Sequence, residues 1–336
     1  MRAPGSLNLV AAASIVIFIA AHGGSGSRAM QTAPADPERT LAERFGFSAE
    51  DIRSARGGQP VARMIAVGDR NELAVAGAVR LDGDKKRLVD WVRNIERFRH
   101  AAELGLTRGI QSPPAAASFA ELALDAHDLA ALQACRPGRC DLRVPDELMA
   151  KFQSGVPWGT PEAPARANAL FAGMLTEYAA AYVHGGDAAV GNDFADLLSS
   201  ATTLYALAPE FAGYLQKFPG APLAGVDQRF YWTNLAHGSG SIVSLHHLVV
   251  YRRPSGDVLI ADKTFYASRY FDVAALVLSM QDTPDGHGYY LIAGSRASSS
   301  RLTGVTGRVL RGQVERAAAA TVEMYLVWLR DSLAAR

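Results

Sequence analysis

The stretch Glu72-Leu-Ala-Val-Ala-Gly-Ala-Val-Arg-Leu81 runs into Asp82-Gly-Asp84 and then into Lys85-Lys-Arg-Leu-Val-Asp-Trp-Val-Arg-Asn-Ile-Glu-Arg-Phe98. Leu73, Val75, Val79 and Leu81 alternate onto one face with Gly77 among them, the period of two that marks a strand. Asp82 to Asp84 cap a helix over 85–103, with Leu88, Val89, Trp91, Val92, Ile95, Phe98 and Ala102 on one stripe. Upstream, Gly68-Asp-Arg-Asn71 reads as a turn after a first strand at Val61–Val67, which makes the pair a hairpin.

Outward from this unit the chain changes character twice. Ser112-Pro-Pro114 breaks the pattern, and 112–228 reads as a helical segment. In it Asp125 caps a helix to Gln133, another helix covers Pro145–Phe152, and Thr160-Pro-Glu162 starts one that runs to His184 before Gly185-Gly186. A shorter helix covers Pro209–Lys217. Strands then follow at Phe230–Trp232, Ile242–Tyr251, Val258–Tyr270 and Tyr289–Arg296, rich in Val, Ile, Tyr and Phe. After Gly307 one long helix reaches the end, with Val314, Tyr325 and Leu329 on its apolar stripe and Arg316, Glu323 and Arg330 off it. About 27 residues at 1.5 Å each span roughly 40 Å, a length that needs a sheet to lie along. Grouped strands and grouped helices predict an α+β fold, with antiparallel strands as the surface for the long C-terminal helix. The boundaries read as 1–29, 30–47 (a loose leader), 48–111 (first part of the core), 112–228 (insertion) and 229–336 (strands and C-terminal helix completing the core).

The strand, small turn, helix and Asn94-Ile-Glu-Arg-Phe98 ending resemble the opening of START-like helix-grip domains, and 229–334 resembles their closing meander and helix. The resemblance covers roughly 72–103 and 229–334. It implies an antiparallel sheet wrapped on the long C-terminal helix with an inserted helical segment over 112–228, an apolar cavity between sheet and helix, hydrophobic small-molecule or lipid binding, and in some members cyclase chemistry.

Composition excludes other classes. The 336 residues are 49% hydrophobic and 20% charged, with net charge +1, so nothing pulls the chain onto phosphate backbones and no nucleic-acid partner is expected. Arg2, the apolar run Leu7–Ala21 and small residues from Gly23 to Ala29 predict a signal peptide over 1–29 and a periplasmic or secreted protein with no transmembrane segment in the mature chain. The two cysteines, Cys135 and Cys140, flank Arg-Pro-Gly-Arg and predict a disulfide in an oxidising compartment.

The sequence holds no nucleophile elbow, zinc-protease signature or phosphate loop, and no cofactor or metal is expected. The candidate ligand-binding residues are Tyr231, His246, Lys263, Tyr266, Arg269, Tyr270 and Arg296, an apolar strand set with a few polar anchors. Along Val258–Tyr270, Tyr266 and Tyr270 share one parity, Lys263 and Arg269 the other. Tyr266 or Tyr270 is expected to border the cavity with at least one of His246, Lys263 and Arg296. The leading expectation is an exported protein that binds a hydrophobic small molecule or lipid. The rivals are an enzyme using the same cavity, with cyclase- or hydrolase-like acid-base chemistry on His246 or Tyr266, and a cell-envelope protein-interaction module that docks a partner through 160–217.

Overall fold

The computed structural model describes residues 36–199, 208–237, 240–299 and 304–334. Its centre is an antiparallel sheet of eight strands: β1 (Val61–Met64), β2 (Glu72–Leu81), β3 (Leu106–Ile110), β4 (Val226–His237), β5 (Gly240–Arg252), β6 (Val258–Ala267), β7 (Val273–Asp282) and β8 (Tyr289–Ser298). The spatial order is β1-β2-β8-β7-β6-β5-β4-β3. β4 to β8 form a continuous meander, while β2 crosses to pair with β8 over its whole length.

One face, called inner here, is covered by α3 (Lys85–Arg93), α4 (Ile95–Ala101) and the C-terminal helix α10 (Gly304–Ala334), which packs on β2 and β1. The contact is close at Gly77, where an added β carbon would lie 2.6 Å from Val322 Cγ1 and 2.7 Å from Leu326 Cδ1. Leu326 and Leu329 are fully buried against the sheet, while Arg316 and Glu323 are exposed. The α+β fold, with its antiparallel sheet on a long C-terminal helix and an inserted helical segment, is the architecture the sequence predicts.

The outer face carries two covers. α1 (Pro37–Phe45) and α2 (Ala49–Arg56) bury Leu41, Phe45 and Ile52 against Ala76, Ala78, Tyr290 and Ile292. Beside them lies the helical segment: α5 (Ala126–Ala134), α6 (Asp146–Gly155), α7 (Ala163–Val190), α8 (Phe194–Ser199) and α9 (Pro209–Lys217). It packs Phe171, Tyr182 and Phe211 on Leu245, Val249, Tyr251 and Phe265. Asp125 caps α5 by accepting from Asp128 N.

Several expectations are corrected. The leader is ordered from Pro37: Asp36 caps α1, Pro37 sits in its first turn, and Leu41 is fully buried, so three apolar side chains outweigh a polar composition. The helix over 85–103 breaks at Asn94, whose backbone N–H closes α3 on Asp90 O and Trp91 O and whose side chain caps α4. Gly186, at φ 62° and ψ −150°, interrupts α7 at the Gly185-Gly186 stop that the sequence predicts, and a second short helical stretch follows to Val190. β3 and β7 are strands that the sequence pattern does not reveal. Residues 1–29, read as a signal peptide, lie outside the described residues.

Candidate functional site

Three strands bring a polar cluster to the middle of the inner face. Tyr231 on β4 stands opposite His246 on β5, which stands opposite Thr264 on β6. Asp262 lies two residues before Thr264 and therefore on the same face. The Tyr231 hydroxyl donates to Asp262 Oδ2 at 2.5 Å, and its ring stacks on the His246 imidazole with centroids 4.5 Å apart. His246 Nδ1 is 3.2 Å from Asp262 Oδ1 and 3.3 Å from Thr264 Oγ1, and its Nε2 is 3.4 Å from Thr233 Oγ1. These partners assign the proton to Nδ1, which donates to the carboxylate, while Nε2 accepts from Thr233.

Burial pushes the His246 imidazole below its ordinary range despite the neighbouring carboxylate, so the ring is neutral. Burial pushes the Asp262 carboxyl up, but the hydrogen bonds from His246 and Tyr231, the Arg99 charge and, once the ring is protonated, the His246 charge outweigh it and hold the group below the ordinary carboxylate range. Arg99 lies over the Tyr231 ring, 5.8 Å from its centroid, and is itself held by Thr107 Oγ1 and Leu104 O.

Accessibility within this cluster is uneven. Tyr231 and His246 are 0% and 1% exposed, yet 17% of the Asp262 side chain remains accessible. Leu276, opposite Asp262 on β7, is also only half-buried. Both belong to strands in the middle of the sheet, whose inner-face neighbours Ile260, Leu278 and Met280 are buried. Tyr325 of α10 is half-buried, and burial together with the Asp262 charge raises its phenol above the ordinary range. At the sheet edge, a cleft of about 680 Å³ opens between the α3–α4 junction and the β3–β4 edge, with Asn94, Ile95, Ile110 and Phe230 among its lining. Arg229 on its wall stands opposite Leu248, which stands opposite Asp262.

The structure does not bring the seven sequence candidates together. Tyr231 and His246 share the inner face. Lys263 lies on the outer face, fully buried, where Nζ donates to Asp187 Oδ2 at 2.5 Å and sits 3.8 Å from the Phe194 ring centroid. Burial lowers its pKa to about 8. Tyr266 is on the outer face as well, its hydroxyl donating to Arg143 O at 2.7 Å. Alternation fails here because a register shift at Leu245/His246 leaves Phe265 as an extra residue on β6, so Phe265 and Tyr266 pack on the same side. β6 ends at Ala267, which removes Arg269 and Tyr270 from the strand. Arg269 pairs with buried Asp128, and Tyr270 is 38% exposed. Arg296 is buried on the outer face beside Glu72. The expectation that Tyr266 or Tyr270 borders the inner space is therefore overturned.

Sequence reasoning did not put Asp262, Thr264, Thr233 or Arg99 in the site. The readable signal was Asp262 and Thr264 sharing a parity in a strand whose preceding member on that face, Ile260, is apolar. On the outer face His247 makes its own buried network: Nδ1 accepts from Tyr182 Oη at 3.0 Å, and Nε2 donates to Gln228 Oε1 at 2.8 Å. Burial and the Lys263 charge push this imidazole well below its ordinary range.

Asp125, His127 and Asp128 place ligand-type atoms within 4.8 Å of one another. The guanidinium of Arg269 already occupies Asp128, which also accepts from Ser241 N and Oγ, so a cation there would face a positive charge. Cys135 and Cys140 form a disulfide with Cα atoms 4.4 Å apart. Among the described residues, no helix is long and apolar enough to cross a membrane. No family model matches the chain, and no curated protein matches it.

Proposed function

We propose that this is an exported protein that binds a small, largely apolar molecule between the inner face of its sheet and the C-terminal helix. The observation that carries the reading is the accessibility of Asp262 and Leu276 in the middle of a sheet whose surrounding side chains are buried. A face built from Ile260, Leu278, Met280 and Leu291 with one polar anchor has the composition of a ligand site. The disulfide and the predicted signal peptide support export.

The rival readings are weaker on the same observations. His246 is enclosed by Tyr231, Thr233 and Thr264, and Tyr266 points to the other face, so neither reaches a substrate in this space as an acid or base. Among the described residues the exposed large hydrophobic side chains are Tyr270 and Met324, and neither lies in 160–217, the segment read as a docking surface.

The test is titration with the neutral apolar probe N-phenyl-1-naphthylamine, for the natural chain and for Leu276→Trp. The reading expects one saturable site that Leu276→Trp blocks while the melting temperature stays within a few degrees. Absence of saturable binding, or equal binding by the variant, overturns it.

A further inference from the structure

Among the described residues three acidic side chains are buried, each with a cation of its own, and a fourth, Asp262, is nearly so. On the outer face Asp128 pairs with Arg269, Asp187 with Lys263 and Glu72 with Arg296. Asp262, on the inner face, has instead a neutral imidazole and a phenol. Among the described residues no lysine or arginine forms an ion pair with it, and the nearby Arg99 is held by Thr107 and Leu104. Asp262 is also the one of the four with the most accessible side chain, 17% against 10% for Asp187, 1% for Asp128 and 8% for Glu72.

A carboxylate turned toward an apolar space without a counter-ion is costly, because neither water nor a partner fully replaces its hydration. Tyr231 and His246 each engage one oxygen, which fixes the plane of the group and leaves each oxygen a further lone pair.

We infer that the ligand of this site is a cationic amphiphile, an apolar body ending in a protonated amine that donates to Asp262. The inference rests on the proposed binding site and adds the chemistry of its polar end. It separates this protein's ligand from fatty acids, whose carboxylate would meet Asp262 with like charge. A neutral hydroxyl end would satisfy a lone pair but leave the charge uncompensated.

The test uses three probes of one chain length, decylammonium, 1-decanol and decanoate, below their aggregation concentrations at pH 7, read by calorimetry. Decylammonium is expected to bind about tenfold more tightly than decanol, the ratio that one charge-assisted hydrogen bond supplies, with decanoate weakest. Asp262→Asn should remove the preference for the amine and raise decanoate binding. Equal affinities for the three probes, or decanoate binding tightest, overturn the inference and leave the apolar site standing. Binding of none overturns both. The natural chain alone decides between these outcomes, so an unstable Asp262→Asn protein does not protect the inference.

Discussion

His246 Nδ1 lies 3.2 Å from Asp262 Oδ1 while the same ring stacks on Tyr231, so an accessible carboxylate is held by two buried neutral groups. The geometry makes His246 a positioning residue. Its removal should misplace Asp262 without opening a new reactive group to the inner space.

The two adjacent histidines set a pH dependence. Both are held neutral, His246 chiefly by burial and His247 by burial and the Lys263 charge. Each folded-state pKa lies below the unfolded value near 6.5, so the unfolded chain takes up protons first as pH falls. The stability they support is complete above pH 6.5 and is lost below it, at up to about 1.4 kcal/mol per pH unit for each ring. Denaturant titration between pH 7 and 5 should show this slope, and His247→Gln should flatten it. An unchanged slope in the variant would contradict the assignment.

The buried pair on the outer face should behave asymmetrically. Lys263→Met leaves Asp187 without its cation and should cost about 3 kcal/mol, whereas Lys263→Met with Asp187→Leu should return most of it. A double-mutant cycle with additive losses would rule out coupling between the two groups.

At Gly77 the sheet and the C-terminal helix leave no room for a methyl group. Gly77→Ala should therefore cost 1 to 3 kcal/mol, roughly the range for overpacking, and Val322→Ala in the same chain should recover part of it. If Gly77→Ala is neutral in chemical denaturation, the helix is not seated on β2 as described.

Reduction of the Cys135–Cys140 disulfide, or replacement of both by serine, should lower stability by roughly 2 kcal/mol without abolishing folding, since the closed loop is short. Loss of cooperative unfolding would show that the bond holds more than its own turn.

The fold was legible where one face of an element is apolar and the other polar, or where a cap marks an end. β2 alternates, Asp125 caps, and α10 carries its stripe, so the sheet-and-helix core follows from pattern. β7, Val273-Ala-Ala-Leu-Val-Leu-Ser-Met-Gln-Asp282, hides because helices or core cover both of its faces and alternation disappears. The site was half legible: Tyr231 and His246 fell on the inner face by parity, but one extra residue at Phe265 and the end of β6 at Ala267 moved Tyr266, Arg269 and Tyr270 away from it. Lys263 and Arg296 looked like anchors because polar groups in apolar strands draw notice. Their partners, Asp187 and Glu72, lie 76 and 224 residues away, and only the fold reveals those pairings.

A high-resolution crystal structure of the protein as purified tests the central claim most directly. The account predicts non-protein density, from a bound molecule or ordered water, on the inner face between β6, β7 and the C-terminal helix, within hydrogen-bond reach of Asp262 and in contact with Leu276. An inner face filled by the protein's own side chains, with Asp262 enclosed and no space beside Leu276, would contradict it.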